Sequence, residues 1–131
     1  MKNKVFLSYS HRDKGLAIKF QRELKKRGVN AFRLDEEAGP GTDIRKAVVD
    51  GIRQSDFMVV LLPNPTSANS SWISYEIGSA SALGKDVFLM KSPSYSVGDL
   101  PAEFSGWRMI DLDPVSPGRA AETLISSLAT A

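Results

Sequence analysis

Short, mainly apolar runs alternate along this chain with stretches whose apolar residues recur every three or four positions. The runs are Val5-Phe6-Leu7 and residues 29–34, 57–62, 87–90 and 109–112. Runs of this length, bounded by polar or turn residues, predict strands buried on both faces. Between them, Leu16/Phe20/Leu24, Ile44/Val48/Ile52, Ile73/Ile77/Ala80 and Leu124/Ile125/Leu128 each mark one face of a helix.

The punctuation agrees with this reading. Ser10-x-x-Asp13 has the form of a capping box that opens the first helix, and Gly28 ends that helix. Thr42 or Asp43 caps the second helix. Pro63-Asn64-Pro65 stops the third strand, and Ser70 or Ser71 caps the helix that follows, which Gly84 closes. Residues 92–106 are a polar loop, and a last helix starts near Pro117. Strict alternation of strand and helix predicts an α/β fold: a flavodoxin-like, doubly wound sheet of about five parallel strands with helices on both faces. Ligands of such sheets sit beyond the carboxyl ends of the strands. That rim is residues 8–12, 34–42, 63–71 and 92–98.

The length of 131 residues fits one domain with a real core. No apolar run is long enough to span a membrane, and the N-terminal run is too short for a signal peptide, so a cytoplasmic location is expected. There is no cysteine and one histidine, His11, so neither a disulfide nor a thiolate or two-histidine metal site is expected. His11 reads as a solvated loop residue. Charge is uneven: residues 2–33 carry ten Lys and Arg against Asp13 and Glu23. Lys19, Arg22, Lys25 and Lys26 fall between the apolar positions of a helix, as on a solvated face. A phosphate-bearing small ligand fits this charge; a nucleic-acid partner is not expected.

Several chemistries are missing. No G-x-G-x-x-G follows the first strand, and there is no P-loop and no G-x-S-x-G elbow. The acidic positions of a response-regulator receiver are occupied by Ser8-Tyr9-Ser10 and Leu62-Pro63-Asn64. What remains is Ser71-Trp72-Ile73-Ser74-Tyr75-Glu76. Trp72 and Glu76 are four residues apart and share a helix face near the rim. A carboxylate beside an aromatic wall can hold sugar hydroxyls or stabilise positive charge.

Four segments in register resemble the Toll/interleukin-1 receptor (TIR) domain, in its bacterial-type, NAD-cleaving branch. They are Val5-Phe6-Leu7-Ser8-Tyr9-Ser10 with Asp13; residues 28–35 followed by Pro40-Gly41, like the family's second strand and BB loop; residues 55–62, like its third strand; and Ser71-Trp72-x-x-x-Glu76, like its S-x-W-x-x-x-E motif. The resemblance covers residues 4–91 and implies that residues 1–131 are a single TIR domain. It further implies an amino-terminal effector domain of a longer protein, with a fused or partner sensor module.

The resemblance implies an NAD⁺ glycohydrolase or cyclase with Glu76 as its catalytic residue, acting as an assembly-activated defence or signalling effector. Trp72, Ser8, Ser10, Arg12, Asp35 and Tyr95 are the implied substrate-binding residues. Gly39, Pro40 and Gly41 form the BB loop through which TIR–TIR self-association is expected to complete the site. NAD⁺ is then substrate, and no further cofactor and no metal are implied. Lys4 stands where many members carry an acid, and Asp43-Ile44 where many carry an aromatic. The alternative within the family is a non-enzymatic adaptor that acts by homotypic contact. A nucleoside-processing transferase on a similar fold is a third class.

Overall fold

The computed structural model describes residues 4–34, 43–69, 71–104, 106–113 and 115–129. The strands are β1 (Lys4–Ser8), β2 (Asn30–Arg33), β3 (Phe57–Leu62), β4 (Asp86–Lys91) and β5 (Arg108–Asp111). The helices are α1 (Lys14–Lys26), α2 (Ile44–Gln54), α3 (Ser71–Ala82) and α4 (Pro117–Ala129). All strand pairs are parallel, in the order β2-β1-β3-β4-β5. The expected fold class is the observed one. The order reverses between β1 and β3, so the crevice forms at their carboxyl ends.

The inner strands β1, β3 and β4 are buried on both faces because the two-residue period splits each between two cores, whereas the edge strand β5 buries only Ile110. Val5 and Leu7 join Phe20 and Leu24 of α1 and Leu124 and Leu128 of α4. Phe6, Met58 and Val60 join Val48 and Ile52 of α2 and Ile73 and Ile77 of α3. Ser8 comes one residue after Leu7, so the same alternation directs it to the α2/α3 side.

Gly28 ends α1 in the left-handed region at φ 84°. The Val29 amide then closes on the Leu24 carbonyl at 3.0 Å, and the chain turns into β2. Asp43 caps α2, accepting from the Arg45 and Lys46 amides. Thr42 and Ser70, the other expected caps, lie outside the described residues.

Two local expectations change. Ser10-x-x-Asp13 forms no capping box: a 3₁₀ turn, His11–Asp13, precedes α1, and neither side chain caps a helix. The Asp13 carboxylate has a stronger partner elsewhere, described below. The expected loop 92–106 contains two short 3₁₀ turns, Val97–Asp99 and Ala102–Phe104, and the first is closed by a Ser96/Asp99 capping box. Turns this short leave no helical period in the sequence.

Gly51 is in the middle of α2, where glycine is ordinarily unfavourable. Its reason is contact: Phe6 and Phe32 meet edge-to-face with centroids 5.2 Å apart, and a Cβ on Gly51 would lie 2.9 Å from Phe6 Cε2 and 3.2 Å from Phe32 Cε2. Overpacking costs about 1–3 kcal/mol, which exceeds the gain of up to about 1 kcal/mol in helix propensity. Gly51→Ala is therefore expected to lower the melting temperature; an unchanged or raised value would refute this account.

Candidate active site

The rim between β1 and β3 is built by the residues that end those strands and by the first turns of α3. Ser8, the last residue of β1, pairs with Val60 of β3. Its hydroxyl donates to Glu76 Oε1 of α3 at 2.5 Å, across 68 positions of sequence. Both side chains are about 1% exposed. α3 presents Ile73, Ile77 and Ala80 to the core, and Glu76 sits among them as a buried carboxyl.

Burial disfavours the charged form, and this pushes the Glu76 carboxyl up to about 8; the Ser8 hydroxyl pulls it back only partly. The group is therefore poised near neutrality. When ionised, it is a carboxylate in a low-dielectric wall, where it stabilises a neighbouring positive charge far better than it would in water.

Trp72 begins the same helix one turn earlier. It is half-buried against the α2/α3 core, and its ring lies 5.9 Å from that of Tyr75, tilted by 34°. Tyr95 is also half-buried. Its hydroxyl donates to the Leu62 carbonyl at 2.8 Å, and the Lys91 ammonium lies 4.2 Å from its ring centroid. Burial, with Asp13 and Asp99 nearby, pushes the Tyr95 phenol up to about 12. Ser10 is half-exposed, and Arg12 and His11 are exposed in the turn after β1. Asp35, Gly39, Pro40 and Gly41 lie outside the described residues. The structure thus brings Ser8 and Glu76 into contact, with Trp72 on the same helix. Tyr95 is tied to the end of β3.

Three rim contacts were not anticipated from the sequence. Ser67, in the 3₁₀ turn Pro65–Asn69, donates to Asp13 Oδ2 at 2.8 Å. This joins the segment after β1 to the segment after β3, and it is where the Asp13 carboxylate is used instead of at a cap. Lys91, about 9% exposed at the end of β4, donates to the Ser92 carbonyl at 2.7 Å and to the Tyr95 carbonyl. A charged residue ending an apolar strand was the only available hint of it. Arg33, at the end of β2, donates to Gln21 at 2.8 Å and to the Tyr9 hydroxyl at 3.1 Å.

A cleft of about 200 Å³ lies on the other flank of α3, lined by Ser74, Ile77, Gly78, Ser81, Phe104 and Trp107. Glu76 and Trp72 do not line it, and it holds no titratable group. Among the described residues no group of three or more His, Cys, Asp or Glu side chains could hold a metal ion. No described helix is long and apolar enough to cross a membrane.

The profile of the TIR domain family matches residues 5–125. The chain belongs to the TIR domain family. A curated relative, the uncharacterised protein y4lF of Sinorhizobium fredii, is 38% identical to this TIR domain over 61 residues, which are 44% of this chain and 19% of that protein. The match thus spans about a fifth of the relative's length.

Among solved structures, the TIR domain of the Toll-related receptor TRR-2 from Hydra magnipapillata superposes with a TM-score of 0.70 at 15% identity, covering 95% of this chain and 97% of that one. The CMP N-glycosidase BcmB of Clostridium botulinum superposes at 0.60 with 19% identity, covering 98% of this chain and 100% of that one. The RPS4 and RRS1 TIR domain heterodimer superposes at 0.66 with 11% identity, covering 99% and 97%. At these identities the likeness is one of fold.

Proposed function

We propose that this TIR domain cleaves the nicotinamide–ribose bond of NAD⁺, with Glu76 as the catalytic residue. One observation carries the reading: a buried carboxyl, held by a hydroxyl, at the carboxyl-end crevice where the strand order reverses. Breaking the bond returns its electron pair to the pyridinium nitrogen, so neutral nicotinamide leaves without a general acid. The ribosyl C1′ is left with positive charge, which ionised Glu76 stabilises. Water adds to C1′ and loses a proton, giving ADP-ribose. Attack by a nucleophile within the same molecule gives a cyclic ADP-ribose instead. Both products share the step at Glu76.

Trp72 serves as a wall, and Ser10, Arg12, Asp35 and Tyr95 contact the rest of the dinucleotide. Self-association through Gly39, Pro40 and Gly41 completes the site, and the domain works as an effector in defence or signalling. The heterodimer of TIR domains and the N-glycosidase described above support this reading by showing the fold in an assembly and in an enzyme described as breaking an N-glycosidic bond.

The test is incubation with NAD⁺ followed by chromatography. Nicotinamide is expected to accumulate, and specific activity to fall on dilution of about a hundredfold, because a site completed by a neighbour follows mass action. A flat dilution series would remove assembly from the proposal. No nicotinamide at high protein concentration would leave the adaptor as the reading. Release that requires an added nucleoside would point to a transferase.

A further inference from the structure

Glu76 has two carboxyl oxygens, and the structure treats them differently. Oε1 takes the Ser8 hydroxyl at 2.5 Å. Among the described residues no other hydrogen bond to the Glu76 side chain is present. Ser8 is itself about 1% exposed at the end of a central strand, with β2 and β3 on either side of β1. A strand end of this kind is among the most rigid platforms a domain offers.

We propose that Ser8 is a positioning residue for Glu76. Its hydroxyl fixes the carboxyl orientation by holding Oε1 and leaves Oε2 as the oxygen available to the reacting sugar. The proposal rests on the reading of Glu76 as catalytic, and it moves Ser8 from the group that meets the ribose or pyrophosphate to the group that aims the carboxylate. A hydroxyl has one proton to donate, and in Ser8 that proton is committed to Oε1.

A donor to a carboxylate also favours its ionised form. Burial and Ser8 are the two influences on the Glu76 proton. Charges on the packed elements have other places. Lys4 is at the far end of β1, where it bonds Gln54. Arg45, Lys46 and Arg53 of α2 are exposed and Asp50 is half-buried. Asp13 takes the Ser67 hydroxyl, and Lys91 donates to backbone carbonyls. β3 and the Pro65–Asn69 turn carry no charged side chain.

The experiment compares wild type, Ser8→Ala and the nearly isosteric Ser8→Cys, in which the thiol is a weak donor. Two readouts are taken: kcat and KM for NAD⁺, and the titration of the Glu76 carboxyl carbon by NMR in ¹³C-glutamate-labelled protein. Ser8→Ala is expected to raise the Glu76 midpoint by about one pH unit and lower kcat by roughly tenfold or more, with KM little changed, as for loss of one hydrogen bond to a charged group. Ser8→Cys should fall between the two and carries the test if Ser8→Ala does not fold. An unmoved midpoint together with wild-type kcat overturns the proposal. A raised KM at unchanged kcat also overturns it, because that pattern marks a residue that binds substrate. If the wild type does not cleave NAD⁺, the reading of Glu76 fails by that result. The NMR midpoint then decides by itself whether Ser8 governs the carboxyl, and an unmoved midpoint ends the proposal.

Discussion

Glu76→Ala is expected to lower kcat for NAD⁺ cleavage by about two to four orders of magnitude, the range for losing a positioned charge-stabilising group. Glu76→Gln should be nearly as poor. Its amide keeps the volume and can still accept the Ser8 hydroxyl, but it cannot balance charge at C1′. The Gln variant therefore separates electrostatics from shape. The rate of the wild type carries the same signature in its pH dependence. With the carboxyl pushed up to about 8, kcat/KM should rise about tenfold per pH unit on the acid side and level off above about 8. Nicotinamide release by chromatography, with melting curves run alongside, measures both. Wild-type turnover in Glu76→Gln would sink the mechanism.

The second large effect concerns stability and does not depend on any activity. In the unfolded chain a glutamate loses its proton near 4.5; in the fold Glu76 keeps its proton to about 8. Below about 4.5 both states are protonated, and the stabilising contribution of this group is fully present. Between the two values the native state binds the extra proton, so stability falls as pH rises, and the loss is complete above about 8. At about 1.36 kcal/mol per unit, the fall is on the order of 5 kcal/mol. Glu76→Gln does not titrate, so this contribution is absent from it. Urea unfolding of both proteins at about pH 5, 6.5, 8 and 9 should show the variant gaining steadily on the wild type and then running parallel to it, with the other carboxyls and His11 cancelling in the difference. Parallel curves across the whole range would show that Glu76 is ionised in the fold throughout.

Much of this domain was legible in the sequence because its signals are local. Unbroken apolar runs marked β1, β3 and β4, since the interior of a strand buried on both faces leaves no polar position, and the shorter, interrupted runs gave the approximate positions of β2 and β5. Four-residue spacing gave the helices. Gly28 and Asp43 marked a helix end and a helix start through backbone geometry that few other residues supply. The Trp72/Glu76 spacing placed a carboxyl near the rim by helix geometry alone. Asp13 misled the reading. An acid three residues after a serine has the form of a cap, but a 3₁₀ turn intervenes and Ser67, 54 positions away, donates to the carboxylate.

The sequence by itself determined the fold class and the order of elements, because each depends on periods of two or four residues or on single turn residues; helix spacing and the resemblance to TIR domains together drew attention to the Glu76 carboxyl. Only the tertiary structure decided what that carboxyl is. Its burial among Ile73, Ile77 and Ala80, its raised proton affinity and its hold by Ser8 all arise where β1, β3 and α3 meet. The same holds for the Asp13–Ser67 tie and for Lys91 over Tyr95. The physical reason is the same for each. A pKa and a hydrogen-bond partner depend on which atoms lie within a few ångströms, and those atoms come from segments that only the packed sheet brings together.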